Sequence, residues 1–165
     1  MITSLQHPLV KHLVKLRQDA RYRAQKQAAV ITGTKMVREL ALRPGLKTVL
    51  VSSAYTPHSD LTTSTILQAS EEVIKKISGL QEPEGIVAEI ALPPPQDLAK
   101  AAKILVLDRI GDPGNLGTLL RTALVFGWDG IIFTPGTVDA FNEKAIRAAK
   151  GAAYLLPYAY MPADK

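Results

Sequence analysis

Asn115 and Arg121 are the residues whose types and spacing first suggest chemistry. They lie in LDRIGDPGNLGTLLRTALVFGWDGIIF (107–133), which reads as a strand, a glycine-rich turn and the start of a helix. Pro113 and Gly114 shape the turn, Asn115 stands where a cap residue belongs, and Gly117 permits close backbone approach. Arg121 follows Asn115 by six residues, less than two helical turns, so it reaches back toward the loop mouth. Free N–H groups at a helix N-terminus beside a guanidinium make an anion site, and a ribose-phosphate backbone is one candidate anion. The glycines run G-x-x-G-x-x-G, which is neither the dinucleotide pattern nor a P-loop. The plain alternative is a capped helix after a strand, with Arg121 in a salt bridge.

A second group is electrostatic. Residues 1–26 carry Lys11, Lys15, Arg17, Arg21, Arg23 and Lys26 against the single acid Asp19, and this segment holds the whole net charge of +5. A concentrated basic stretch suggests a polyanion partner, because Lys and Arg displace counterions condensed on phosphates; the alternative is a solvated helix face. Lys11, Lys15, Arg17, Arg21 and Arg23 are the expected phosphate contacts. Arg147 falls four residues after Glu143, which predicts a local ion pair, with an RNA-facing role as the alternative. His7, His12 and His58 are too scattered for a metal cluster and have no evident carboxylate companion, so no metal is expected. No G-x-S-x-G elbow is present. Aromatic residues make up 5%, too few for a base-stacking platform.

These residues need a scaffold. The chain has 165 residues, 47% hydrophobic and 21% charged, a globular composition. It has no cysteine, which excludes disulfides and thiolate zinc and fits a reducing compartment. No apolar run is long enough to span a bilayer, and the charged N-terminus lacks a secretory h-region. Leu9, Leu13 and Leu16 at helical spacing predict one or two basic amphipathic helices over 8–26. Strands are expected at 28–33, 46–52 and 85–92, and helices at 34–43 and 70–80, the latter capped by Ser70 and closed near Gly79. That alternation implies an α/β sandwich with a mainly parallel sheet. Pro93, Pro94 and Pro95 form a stiff spacer, so the domain junction is placed at about 93–99. Beyond it the pattern restarts as strand 103–110, helix 115–127, strand 130–135, helix 140–152 and strand 154–160, a Rossmann-like beginning.

The wording of these segments carries a family resemblance. DPGNLGTLLRTA (112–123) is similar to the first signature motif of the SpoU (TrmH-like) methyltransferases, with Asn115 and Arg121 at matching positions. FNEKAIRAAKGAAYLLP (141–157) resembles the next stretch of that family, which more often has serine near Ala149 or Lys150. AVITGTKMVREL and KISGLQEPEGIVAEI resemble the opening and closing segments of the family's substrate-binding domain, which often has glutamate at Thr32. The resemblance covers nearly the whole chain.

It implies a SPOUT-superfamily RNA 2′-O-ribose methyltransferase. Residues 1–95 would be a small α/β RNA-binding domain resembling ribosomal-protein folds. Residues 96–165 would be the Rossmann-like first half of a trefoil-knot methyltransferase domain. The implied cofactor is S-adenosylmethionine, the implied substrate ribosomal or transfer RNA, the implied assembly a homodimer and the implied location the cytoplasm or an organelle. Arg121 would serve the reacting centre, and Asn115 would orient Arg121 or the ribose. The knot and cofactor motifs of the family are expected beyond Lys165, which leaves the cofactor-binding residues unknown, suggests truncation and predicts an exposed apolar sheet edge. The alternative is a non-catalytic RNA-binding module or inactive truncated paralogue.

Overall fold

The computed structural model describes residues 1–56, 61 and 65–162. These form two compact units, Met1–Leu92 and Pro93–Lys165.

In the first unit α1 (Pro8–Gln18) and α2 (Ala20–Lys26) precede β1 (Ala28–Thr32), α3 (Thr34–Ala41), β2 (Leu46–Ser52), β3 (Ile66–Ala69), α4 (Glu71–Ser78) and β4 (Ile86–Ala91). The strand order is β1-β4-β2-β3. β4 runs antiparallel to both neighbours and only β2 and β3 are parallel, so the expected mainly parallel sheet is corrected to a mixed one. The apolar runs of β1 and β4 do report burial on both faces, but burial does not encode direction. One face packs Val10, Leu13 and Leu16 of α1 with Val73, Ile74 and Ile77 of α4 onto Val30, Leu50 and Val87. α3 packs against β1 and β4. β3 escaped the sequence reading; it is four residues long and largely exposed, so it carries neither a long apolar run nor a clear alternation.

Local chemistry sets the helix ends. Ser70 caps α4 through Val73 N–H, and Gly79 closes it in the left-handed conformation, as the sequence suggested. The 8–26 segment divides at Asp19, which ends α1 and caps α2 by accepting from Tyr22 N–H. Arg23 is buried at 4% exposure, and its Nη1 donates to Leu16 O at 2.8 Å and Arg17 O at 2.9 Å. Those carbonyls belong to the last turn of α1, where intrahelical donors have run out. The expected phosphate contact at Arg23 is therefore corrected: its charge is spent on a helix C-terminus.

In the second unit β5 (Ile104–Leu107), α5 (Pro113–Val125), β6 (Gly130–Phe133), α6 (Glu143–Ala149) and β7 (Tyr158–Tyr160) alternate, with a 3₁₀ turn at Ala152–Tyr154. The sheet order is β5-β6-β7 and both pairings are parallel, the Rossmann-like arrangement expected. β5 is an edge strand whose Val106 is 48% exposed. Leu116, Gly117, Leu120 and Ala123 form the buried stripe of α5. A β-carbon on Gly117 would lie 2.5 Å from Ala148 Cβ, 2.6 Å from Ala145 O and 2.7 Å from Ala149 N, so glycine is what lets α5 touch the α6 backbone. Phe133, Phe141, Tyr154, Tyr158 and Tyr160 make a chain of tilted and edge-on ring contacts. Among the described residues no helix is long and apolar enough to cross a membrane.

Two stability predictions follow from this packing. Gly117→Val forces α5 off α6 and lowers unfolding free energy by about 3 kcal/mol in urea titration. Arg23→Ala strips the α1 C-terminus of two charge-assisted bonds and costs about 2–3 kcal/mol, while RNA affinity of the folded variant matches wild type; a parallel loss of affinity with no loss of stability would return Arg23 to the surface role.

Candidate RNA-facing site

The turn between β5 and α5 is held by side chains rather than by packing. Asp112 is the cap of α5: its Oδ1 accepts from Asn115 N–H at 2.7 Å, and Pro113 fills the first helical position. This corrects the expectation that Asn115 is the cap. The helix begins at Pro113 because an acidic acceptor stands immediately before a proline, a stronger start signal than the later asparagine. Asn115 instead occupies the third helical position with its side chain exposed.

Asn115, Thr118, Arg121 and Val125 recur at three- and four-residue spacing, so they share the outward stripe opposite Leu116, Gly117 and Leu120. All four are exposed. Arg121 has no hydrogen-bond or ion-pair partner among the described residues, which removes the salt-bridge alternative there. Thr118, Arg121, Thr122, Val125, Phe126 and Ala148 line a shallow cleft of about 220 Å³.

A second cleft, about 190 Å³, opens at the carboxyl ends of β6 and β7 and is lined by Phe133, residues 134–140, Tyr160 and Met161. In parallel α/β sheets this end of the strands is where ligands sit. Burial, with the charges of Tyr160 and Asp139 adding to it, pushes the Tyr158 phenol well above its usual range. It stays protonated and donates to Pro93 O at 2.6 Å. Tyr160 is raised by burial and by Asp139.

The other expected contacts divide. Lys11, Lys15 and Arg21 are exposed, as is Lys26. Lys15 and Lys26 flank the Tyr22 ring, with Nζ 4.6 and 5.6 Å from its centroid. Arg17 is half-buried and lies over Gly79 at the end of α4, where an added β-carbon would meet its Nη1 at 2.5 Å. Arg147 pairs with Glu143 at 3.1 Å, the local bridge that their spacing predicted. His7 caps α1 by accepting from Leu9 N–H at 3.2 Å.

One polar cluster was missed. His12 Nδ1 lies 2.9 Å from Tyr22 Oη, and its Nε2 lies 3.3 Å from Glu89 Oε2. Lys47 reaches the other Glu89 oxygen at 3.6 Å. The expectation that the histidines lack a carboxylate companion is thus corrected for His12. Glu89 comes from the central strand β4, and sequence spacing holds no trace of that meeting. Among the described residues no group of three or more His, Cys, Asp or Glu side chains is arranged to hold a metal. His58 lies outside the described residues.

Comparison with known proteins agrees with this division into units. A model described as the SpoU rRNA Methylase family matches residues 102–163, and one described as the MRM3-like substrate binding domain matches residues 7–88. The chain is 35% identical over 158 residues to the 23S rRNA (guanosine(2553)-2′-O)-methyltransferase RlmP of Bacillus subtilis, covering 94% of this chain and 63% of that protein. It is 36% identical over 101 residues to human mitochondrial rRNA methyltransferase 3, covering 56% of this chain and 24% of that protein. Among solved structures, an rRNA methyltransferase from Sinorhizobium meliloti superposes with a TM-score of 0.81 at 28% identity, covering 97% of this chain and 64% of that one. An AdoMet-bound rRNA methyltransferase from the same organism gives 0.79 at 29% identity, covering 96% and 63%. The chain thus spans a little under two thirds of the length of the bacterial relative and of these structures. With the signature segment around Asn115 and Arg121 on an exposed helix face, and a mixed-sheet unit preceding it in the chain, residues 102–163 are a domain of the SpoU rRNA methylase type and residues 7–88 a domain of the MRM3-like substrate-binding type.

Proposed function

We propose that this chain serves S-adenosylmethionine-dependent 2′-O-methylation of ribose in ribosomal or transfer RNA. The observation that carries the reading is Arg121: an exposed guanidinium with no hydrogen-bond or ion-pair partner among the described residues, on the exposed side of α5 with Asn115, in the segment that resembles the family's first signature motif. When bound, S-adenosylmethionine would supply an activated methyl group for the ribose 2′-oxygen, with the neutral thioether as its leaving group. The contribution of the protein is alignment and charge. Arg121 clamps a phosphate and offsets the negative charge that develops on the 2′-oxygen as its proton passes to solvent water. A guanidinium is almost never deprotonated, so Arg121 is not the base. The side chain of Asn115 orients the ribose or Arg121 by hydrogen bonds.

The cleft at the ends of β6 and β7 is smaller than the roughly 300 Å³ lower bound of small-ligand pockets, so the described residues fit the cofactor only as one part of its wall. Lys11, Lys15 and Arg21 hold the RNA backbone through salt-dependent contacts with little sequence preference. Val125 and Phe126, at 76% and 70% exposure, support a homodimer in which a second copy covers the end of α5. The cellular setting is wherever the substrate RNA is made, the bacterial cytoplasm or an organelle.

Arg121→Ala lowers methyl transfer to a 23S rRNA transcript by at least about 100-fold, with little change in melting temperature; wild-type turnover in that variant would remove Arg121 from the reacting centre. Charge reversal at Lys11, Lys15 and Arg21 weakens RNA binding at low salt and flattens its salt dependence, as read by filter binding across a salt series. Replacing Val125 and Phe126 with glutamate shifts the protein to a monomer in light scattering; a dimer that persists would place the interface elsewhere.

A further inference from the structure

Among the described residues three non-glycine residues have positive φ: Gln27 at 47°, Lys150 at 52° and Arg109 at 50°. Gln27 and Lys150 close α2 and α6, where the left-handed conformation is an ordinary way to end a helix. Arg109 has no such reason. It lies between the end of β5 and the α5 cap, in a conformation that costs any residue with a β-carbon.

Two threonines hold it there. Arg109 N–H donates to Thr134 Oγ1 at 3.0 Å, and that hydroxyl lies 2.8 Å from Asp108 Oδ1, to which it donates. Ile110 N–H reaches Thr137 Oγ1 at 3.4 Å, and Thr137 donates to Leu107 O at 2.9 Å. Val138 N–H donates back to Ile110 O at 2.8 Å. The loops after β5 and β6 are thereby tied into one body.

The tie fixes where the Arg109 side chain stands. It is 82% exposed, and its only partner among the described residues is Asp108 at 3.9 Å, itself 68% exposed, too long and too wet a contact to hold the guanidinium. Its Cγ would lie 3.6 Å from a β-carbon on Gly136, a residue lining the cleft at the ends of β6 and β7. A glycine at 109 would make the same turn without strain, so the turn alone does not account for an arginine.

We propose that Arg109 is a substrate-contact residue, binding an RNA phosphate at the rim of this cleft. The inference rests on the methylation reading. An exposed guanidinium on a rigid loop suits a backbone phosphate, which is met at the surface. The carboxylate of a small ligand would call for an enclosed position.

The test uses the protein containing this chain, with a 23S rRNA transcript as the probe. Arg109→Asn and Arg109→Gly both tolerate the left-handed backbone while removing the charge. Both are expected to keep the wild-type melting temperature, to raise KM for the RNA about 5- to 10-fold with kcat within about twofold, and to reduce the salt slope of binding by about 0.7–0.9, the share of one phosphate. Arg109→Lys recovers part of the affinity. An unchanged KM and salt slope would overturn the proposal, as would a rise in KM for S-adenosylmethionine alone or a kcat loss that tracks a fall in melting temperature. If wild-type protein binds the transcript but transfers no methyl group, the methylation reading fails, and the salt slope still decides the role of Arg109.

Discussion

The contact of α5 on α6 at Gly117 is the constraint on which the second unit depends. There is no room for even one methyl group between Gly117 and the α6 backbone. That contact fixes the rotation of α5 about its own axis, because a helix with one face seated has only one other face to offer. Ala145, Ala148 and Ala149 supply the small surface that receives it. Leu116 and Leu120, on the same buried stripe, add the apolar area that makes the seating favourable. Asn115, Thr118 and Arg121 face outward as a consequence. Their common orientation is therefore a packing result before it is a functional one.

In the first unit charge is divided by geometry rather than by residue type. Arg23 is held by the last carbonyls of α1 and Arg17 lies at the end of α4, each beside the negative end of a helix. Lys11, Lys15, Arg21 and Lys26, from the same short run, are left at the surface. The buried carboxylate of Glu89 shows the converse case, surrounded by His12 and Lys47 from elements distant in sequence. The basic count of the segment thus overstates the positive charge it leaves at its surface. Its helical hairpin uses arginine to close itself and leaves mainly lysine exposed.

What was legible in the sequence follows this division between local and distant causes. β2 and α4 were readable because an apolar run and two cap residues, Ser70 and Gly79, act within one turn of themselves. The α5 start was displaced because Asp112 and Asn115 are both competent caps, and only Pro113 in the first helical position decides between them. The antiparallel course of β4 was illegible, since a strand buried on both faces reads the same in either direction. For the site, the outward stripe of α5 was readable from its 3.6-residue period. The meeting of His12 with Glu89, the burial of Arg23 and the ties of Thr134 and Thr137 to the preceding loop were not, because each joins residues by a tertiary hydrogen bond without periodicity.

Those ties bear on how a site can exist on so small a sheet. At the carboxyl ends of three parallel strands there is little apolar area left to order a loop, and Val106 on the edge strand is already half exposed. Threonine hydroxyls replace packing there: each accepts from one backbone N–H, while Thr134 donates to Asp108 and Thr137 donates to Leu107 O. A loop held by hydrogen bonds keeps its polar groups satisfied while remaining at the surface. It can therefore carry a strained residue and an exposed charge that a greasy contact would have buried. The buried stripe of α5 and the hydroxyl ties of the strand-end loops are thus two solutions to one problem, that of fixing the backbone beneath a cation while leaving its charge at the surface.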